Sequence, residues 1–203
     1  DAYDTDTLKK LSPFKKNKRL SIIASNKQMC DGHKKRLLFA KKLKAYFGDT
    51  IDFFGKGINE IEKTWDALAP YKYHIAIENT KLDNYWTEKI MNPLLAWCHP
   101  IYYGAPNISQ FFDSKCMSII DINNLDNSIK QIETLLKNDT YQKSLPIIKK
   151  ERQKIFNEYN IFNRFSNILD TLCIKEPTNK EKITLYSENK FTLFPRKLIS
   201  IFK

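Results

Sequence analysis

Residues 73–107 read YHIAIENTKLDNYWTEKIMNPLLAWCHPIYYGAPN, and their pattern decides the fold. The apolar run over 73–77 is short and stops at the polar pair Glu78 and Asn79, which predicts a buried strand and its loop. Thr87 then offers a hydroxyl where a helix would begin, and 87–97 read as that helix. A second apolar run at 100–103 ends at Gly104. Strand, helix and strand in this order form a crossover unit, whose two strands are parallel. Pro93 lies too far inside the helix to be its first residue, so a kink or a restart is expected there.

The same alternation extends both ways. Upstream, residues 20–24 form a nearly unbroken apolar run ending at Ser25 and Asn26. Leu37, Ala40, Leu43 and Phe47 are then spaced as one face of a helix over 34–47, stopped by Gly48. A short strand is predicted at 51–54, broken by Gly55 and Gly57, and a helix at 61–68 that stops before Pro70. Downstream, a strand is expected at 117–121 and helices at 126–137 and 145–159. The predicted fold is α/β: a Rossmann-like, mostly parallel sheet with helices on both faces. Residues 1–17 read as a linker or arm, 18–170 as the nucleotide-binding type of domain, and 171–203 as a C-terminal tail.

Bulk properties agree with one folded domain. The chain has 203 residues, 42 % hydrophobic and 28 % charged, enough for a single full core. A net charge of +11 suits phosphate-rich partners, be they nucleic acid, a nucleotide or an anionic membrane; as solvated faces the lysine runs need no partner at all. Cys30, Cys98, Cys116 and Cys173 lack the paired spacing of a zinc or redox motif, and they read as reduced thiols of a cytosolic protein. No apolar run reaches the roughly eighteen residues of a membrane span. The sequence begins at Asp1 with no methionine, so an upstream part is expected.

In an open parallel sheet a ligand lies beyond the carboxyl ends of the strands. Those rims are Ser25 and Asn26, residues 55–57, Glu78 and Asn79, and residues 104–107. If Thr87 caps a helix, Glu88 and Lys89 occupy its first turn, where free N–H groups and the helix dipole favour an anion. A lysine there opposes the dipole, which makes sense beside a phosphate, and Glu88 has the two acceptors a ribose diol needs. Equally, Glu88 is a favourable first-turn acid and Lys89 its solvated neighbour. Arg36 carries the planar fork that grips phosphate, yet it belongs to a basic run of the kind that usually faces solvent. Tyr85 and Trp86 either stack on a base or pack as core. His33, His74 and His99 lack partners at metal-ligand spacing. The chain has no P-loop and no Asp-x-Asp that would hold a metal against a sugar nucleotide, so no metal or cofactor is expected and a bound diphosphate would be neutralised by side chains.

Residues 73–107 also resemble the donor-binding motif of the family 10 glycosyltransferases, the alpha-1,3/1,4-fucosyltransferases. That motif has an apolar strand ending in Glu-Asn-Ser, then Tyr-x-Thr-Glu-Lys, a helix and a Pro-x-x-x-Gly strand. The likeness takes in SIIASN and GHKKRLLFAKKLKAYFGDTIDFFGKG upstream and reaches residues 151–162 downstream. It implies the carboxy-terminal half of a GT-B enzyme that binds GDP-fucose and transfers fucose with inversion to a glycan hydroxyl. It further implies Arg36 and Lys89 on the diphosphate, Glu88 on the ribose, Tyr85 near the guanosine, and Asn79 with Glu78 facing phosphate and fucose. Asn26 joins them on the first strand's rim. Thr80 replaces the family's serine, Trp97 and Cys98 stand where small residues are common, and Asp113 where a proline is. The catalytic base belongs to the amino-terminal acceptor domain, which nothing in residues 1–17 resembles, so it is expected outside this chain. The alternative is a non-catalytic sugar-nucleotide-binding module that needs a separate acceptor domain.

Residues 190–203 mix apolar side chains with Lys190, Arg196, Lys197 and Lys203. They read either as a stretch resting on an anionic bilayer or as one packed on the domain. The first reading fits a lipid-linked or lipopolysaccharide acceptor and a cytoplasmic protein peripheral to a bacterial inner membrane. No nucleic-acid motif supports a nucleic-acid partner.

Overall fold

A computed structural model describes residues 4–27 and 29–171. The chain divides into one compact unit over Asp1–Arg164 and a second over Phe165–Lys203. Eleven elements follow in order among the described residues: α1 (Thr5–Lys10), β1 (Lys18–Ile23), α2 (Asp31–Phe47), β2 (Ile51–Phe54), β3 (Tyr71–Ile77), α3 (Glu88–Leu95), β4 (His99–Tyr103), β5 (Ser118–Ile119), α4 (Leu125–Lys137), α5 (Thr140–Asn157) and α6 (Ile161–Thr171).

The five strands form one parallel sheet in the order β2-β1-β3-β4-β5. Leu20 of β1 sits between Ile51 of β2 and Tyr73 of β3, and Tyr73 pairs onward with His99 of β4. Alternate residues of each strand leave on opposite faces. Leu20, Ile22, Tyr73, Ile75, Ile77 and Ile101 therefore share one face, where Leu37, Ala40 and Leu43 of α2 and Ile129 and Ile132 of α4 cover them. On the other face Ala76 and Tyr102 meet Ile90 and Leu94 of α3 and Ile148 and Ile155 of α5. A fully buried Leu or Ile contributes about 1.5–3 kcal/mol, so both faces must be covered for the sheet to hold. The expected α/β architecture with helices on both faces is the one observed.

Local differences have identifiable causes. The helix expected over 61–68 is only a four-residue 3-10 turn, Thr64–Ala67. This segment crosses from β2 over β1 to β3, and its Ala67 carbonyl accepts the Ser21 hydroxyl of β1 at 2.6 Å. A backbone holding such a bond to the sheet is not free to continue an α-helix. α3 ends at Leu95, two residues past Pro93, and Trp97 turns out of it with φ of 58°. β5 spans two residues instead of five. α5 begins five residues before the expected start, with Pro146 in its interior.

The segment read as an arm is fastened to the domain. Lys16 is nearly buried and donates to the carbonyls of Ala69 at 2.7 Å and Ala96 at 2.5 Å. The Trp97 indole donates to Leu11 O at 3.1 Å, and Arg152 donates to Leu8 O at 2.7 Å. In the second unit Phe165, Ile168 and Leu169 of α6 are exposed. Residues 190–203, read as resting on a bilayer or packed on the domain, lie outside the described residues.

Candidate functional site

The strand order reverses between β1 and β3. From β1 the chain first moves outward to β2, then returns to place β3 on β1's other side, so the crossovers leave a crevice at the carboxyl ends of these two strands. A cleft of about 220 Å³ occupies that position. Ile23 of β1 and the following Ala24 and Ser25 line it, with Arg36 from α2, Glu88, Lys89, Asn92 and Pro93 from α3, and His74 of β3 in its wall.

Thr87 caps α3, its hydroxyl accepting from Lys89 N at 3.3 Å. Glu78 lies directly beneath. Its side chain is wholly buried, and its carboxylate accepts from Thr87 N at 2.9 Å, Thr87 Oγ1 at 2.8 Å and Lys89 Nζ at 3.2 Å. Every group that Glu78 engages belongs to the α3 turn, so it holds that turn in place and presents no free oxygen to the cleft. The carboxylate expected to face phosphate and fucose supports Thr87 and Lys89 from beneath. Glu88, at 62 % exposure, keeps its carboxylate open to solvent, 3.5 Å from Lys89 Nζ. The dipole penalty on a first-turn lysine, about 0.3–1 kcal/mol, is met here by two carboxylates of the protein itself.

Arg36 differs. It is 8 % exposed, donates from Nη1 to Asn79 Oδ1 at 2.5 Å, and its buried Nε has no partner. Burial pulls its pKa below the ordinary value, and the nearby Cys30 and Glu78 offset only part of that. A buried guanidinium whose bonded partner is a neutral amide is costly unless an anion completes it. The approach that sets this geometry is made by Gly32: a Cβ there would collide with the Asn79 carbonyl. Gly104 does the same under Glu78, where a Cβ would meet the Tyr102 hydroxyl and Glu78 Cγ.

His74 stays neutral. The Ser21 hydroxyl has one proton, given to Ala67 O, so the 2.8 Å contact with His74 Nδ1 requires the imidazole to donate. Burial lowers its pKa to about 3, too far from neutrality for efficient general acid-base work.

Arg36, Glu88 and Lys89 thus come together around the cleft, and Asn79 joins them only through its bond to Arg36. Asn26 and Tyr85 do not line it. Asn26 is exposed beside Gly57, with its N–H on Lys56 O at 3.1 Å. Tyr85 is exposed on a loop tied down by reciprocal amide bonds between Asn84 and Asn107. Trp86 is partly buried and packs against the core, its ring 5.0–5.6 Å from those of Tyr159, Phe112 and Phe111. Sequence reasoning missed Gly32 and Asn92 and gave Gly104 only as a rim position; the glycines act through close backbone approach, which leaves no periodic signal.

Residues 13–169 match the family model described as glycosyltransferase family 10 (fucosyltransferase) C-term. The chain belongs to glycosyltransferase family 10. Within this fucosyltransferase family it is 32 % identical over 88 residues to the alpha-(1,3)-fucosyltransferase FucT of Helicobacter pylori, covering 43 % of this chain and 17 % of that protein. It is 31 % identical over 127 residues to GDP-fucose protein O-fucosyltransferase 3 of Xenopus tropicalis, covering 54 % of this chain and 26 % of the relative. The chain therefore spans about a quarter or less of these relatives. A crystal structure of an alpha1,3-fucosyltransferase with GDP-fucose superposes with a TM-score of 0.54 at 26 % identity, over 63 % of this chain and 38 % of that one. The glycosyltransferase TarM shares the fold, with a TM-score of 0.53 at 16 % identity. Among the described residues no helix is long and apolar enough to cross a membrane.

Proposed function

We propose that this chain is the donor-binding part of a fucosyltransferase that holds GDP-fucose for inverting transfer to a glycan hydroxyl. Residues 18–170 form the nucleotide-sugar domain, with the preceding segment packed onto it. The carrying observation is Arg36, a buried cation with an unpartnered Nε, beside Lys89 in a cleft at the reversal of strand order. Arg36 and Lys89 take the diphosphate and stabilise the charge that grows on it as the glycosidic bond breaks. The Glu88 carboxylate accepts from the ribose diol, and Asn79, already set by Arg36, faces the sugar side. Asn26 and Tyr85 border the nucleoside from the rim. No metal is required, since the two cations and the N-terminal dipole of α3 meet the phosphate charge.

At about 220 Å³ the cleft is smaller than the roughly 300–1,000 Å³ of a whole small-molecule site. That size fits one wall of a site whose acceptor wall and general base belong to another domain. Lipid-linked and lipopolysaccharide glycans are the acceptor class proposed, with residues 190–203 as the peripheral membrane contact. Calorimetry with GDP tests the donor site. Lys89→Ala and Arg36→Lys should each weaken binding about tenfold or more, the second because a point charge replaces a fork. Wild-type affinity in both variants defeats the assignment. The alternative, a binding module without catalysis of its own, is favoured if the chain binds GDP-fucose but neither transfers nor hydrolyses it.

A further inference from the structure

The outer face of α2 plays no part in the donor site. Its inner face packs Leu37, Phe39, Ala40 and Leu43 into the core and carries Arg36 to the cleft. Outward it presents Lys34, Lys35, Lys41 and Lys42, all exposed, around Leu38, which is 55 % exposed. The spacing is the one a helix needs to surround one side chain: the four lysines stand three or four positions before and after Leu38. Tyr46, also 55 % exposed, continues the face, and Met29, 85 % exposed, lies just before the helix. The local acids are few, with Asp126 facing Lys42 and Tyr46 across the groove between α2 and α4. Asp31 lies 3.9 Å from Lys34, and Glu133 accepts the Tyr46 hydroxyl at 2.9 Å.

We infer that this face docks on an anionic lipid surface. Its charge calls for a polyanion, and its centre narrows the choice. Leu38 gains nothing from phosphates alone, whereas at a bilayer interface it enters the apolar layer while the lysines stay at the headgroups. A nucleic acid would reward only the lysines. A second copy of the same face would repel it. Residues 172–203 do not complement it either, because they carry seven Lys and Arg against three Glu. α2 bears both the docking face and Arg36, so docking would hold the cleft at a set orientation to the surface that carries the lipid. Docking through α2 does not depend on the donor's identity.

Co-sedimentation of the full chain with vesicles tests it. Phosphatidylcholine vesicles containing phosphatidylglycerol should bind the protein, and pure phosphatidylcholine should not, with affinity falling as salt rises. Each lysine near an anionic surface is worth about fivefold. The quadruple variant K34Q/K35Q/K41Q/K42Q should therefore lose well over tenfold, and Leu38→Asn should lose a few-fold at constant salt. A control, K137Q/K143Q/K149Q/K150Q, removes the same charge from exposed positions on α4 and α5. Equal losses in the two quadruple variants, or tight duplex DNA binding indifferent to Leu38→Asn, overturn the proposal. GDP affinity, read in the same samples, separates this outcome from any failure of the donor site.

Discussion

Gly32 occupies the first turn of α2, where alanine would ordinarily be favoured by about 1 kcal/mol. Contact with the Asn79 carbonyl reverses that preference. Gly32→Ala should destabilise the protein by about 1–3 kcal/mol, read from the urea midpoint, because the new methyl must push backbone apart. It should also weaken GDP binding, since the shift separates Arg36 from Asn79. A stabilised variant with unchanged GDP affinity would refute the close-approach account. At this scale the sequence was informative about residue type more than direction. Arg36, Glu88 and Lys89 were legible as charges near a helix start, but whether each met solvent, protein or ligand depended on neighbours distant along the chain. Glu78 shows the limit: a carboxylate on a strand rim looks like a ligand group until Thr87 and Lys89, nine and eleven residues on, are seen to occupy both its oxygens.

Among the elements, those with long apolar patterns were readable and the short or anchored ones were not. β1, β3 and β4 each carry a short, mostly apolar stretch, and α2 stops at Gly48, whose φ is 52°. α5 hid its first turn because Pro146 lies inside it, where proline is the usual mark of a helix start. The opening segment shows how a single contact changes an element's status. Lys16 is an ordinary lysine among lysines, yet its ammonium serves main-chain carbonyls beneath the Phe14 ring and no carboxylate. Lys16→Met keeps the stem's bulk and removes the donor on which the Ala69 and Ala96 carbonyls rely. A loss of about 2–3 kcal/mol is expected, together with faster tryptic cleavage at Lys9, Lys10 and Lys15 as the segment detaches. Unaltered cleavage rates would show that the anchor lies elsewhere, in the Trp97 and Arg152 bonds to this segment.

For the whole molecule, the strand-order reversal that builds the cleft also buries two histidines in the sheet, and they make stability depend on pH. Burial lowers the His74 pKa to about 3 and that of His99 to about 4, from 6.5 when unfolded. Below pH 6.5 the unfolded chain takes up protons that the folded one refuses, so the stabilisation present above 6.5 is lost as pH falls toward 4. With two groups the slope approaches about 2.7 kcal/mol per pH unit at its steepest. Glu151 works in the opposite sense, because burial raises its pKa and favours the folded state at lower pH, but it is one group against two. Urea midpoints measured from pH 7 to pH 4 should therefore fall steeply, well before the general protonation of surface carboxylates. His99→Asn should roughly halve that slope. His99 has only the Ser118 hydroxyl at 2.9 Å to lose and an unpartnered Nδ1. A flat profile across this window in the wild-type chain would mean that His74 and His99 are protonated in the folded state, and with that the neutral imidazole assigned to the wall of the cleft would fail.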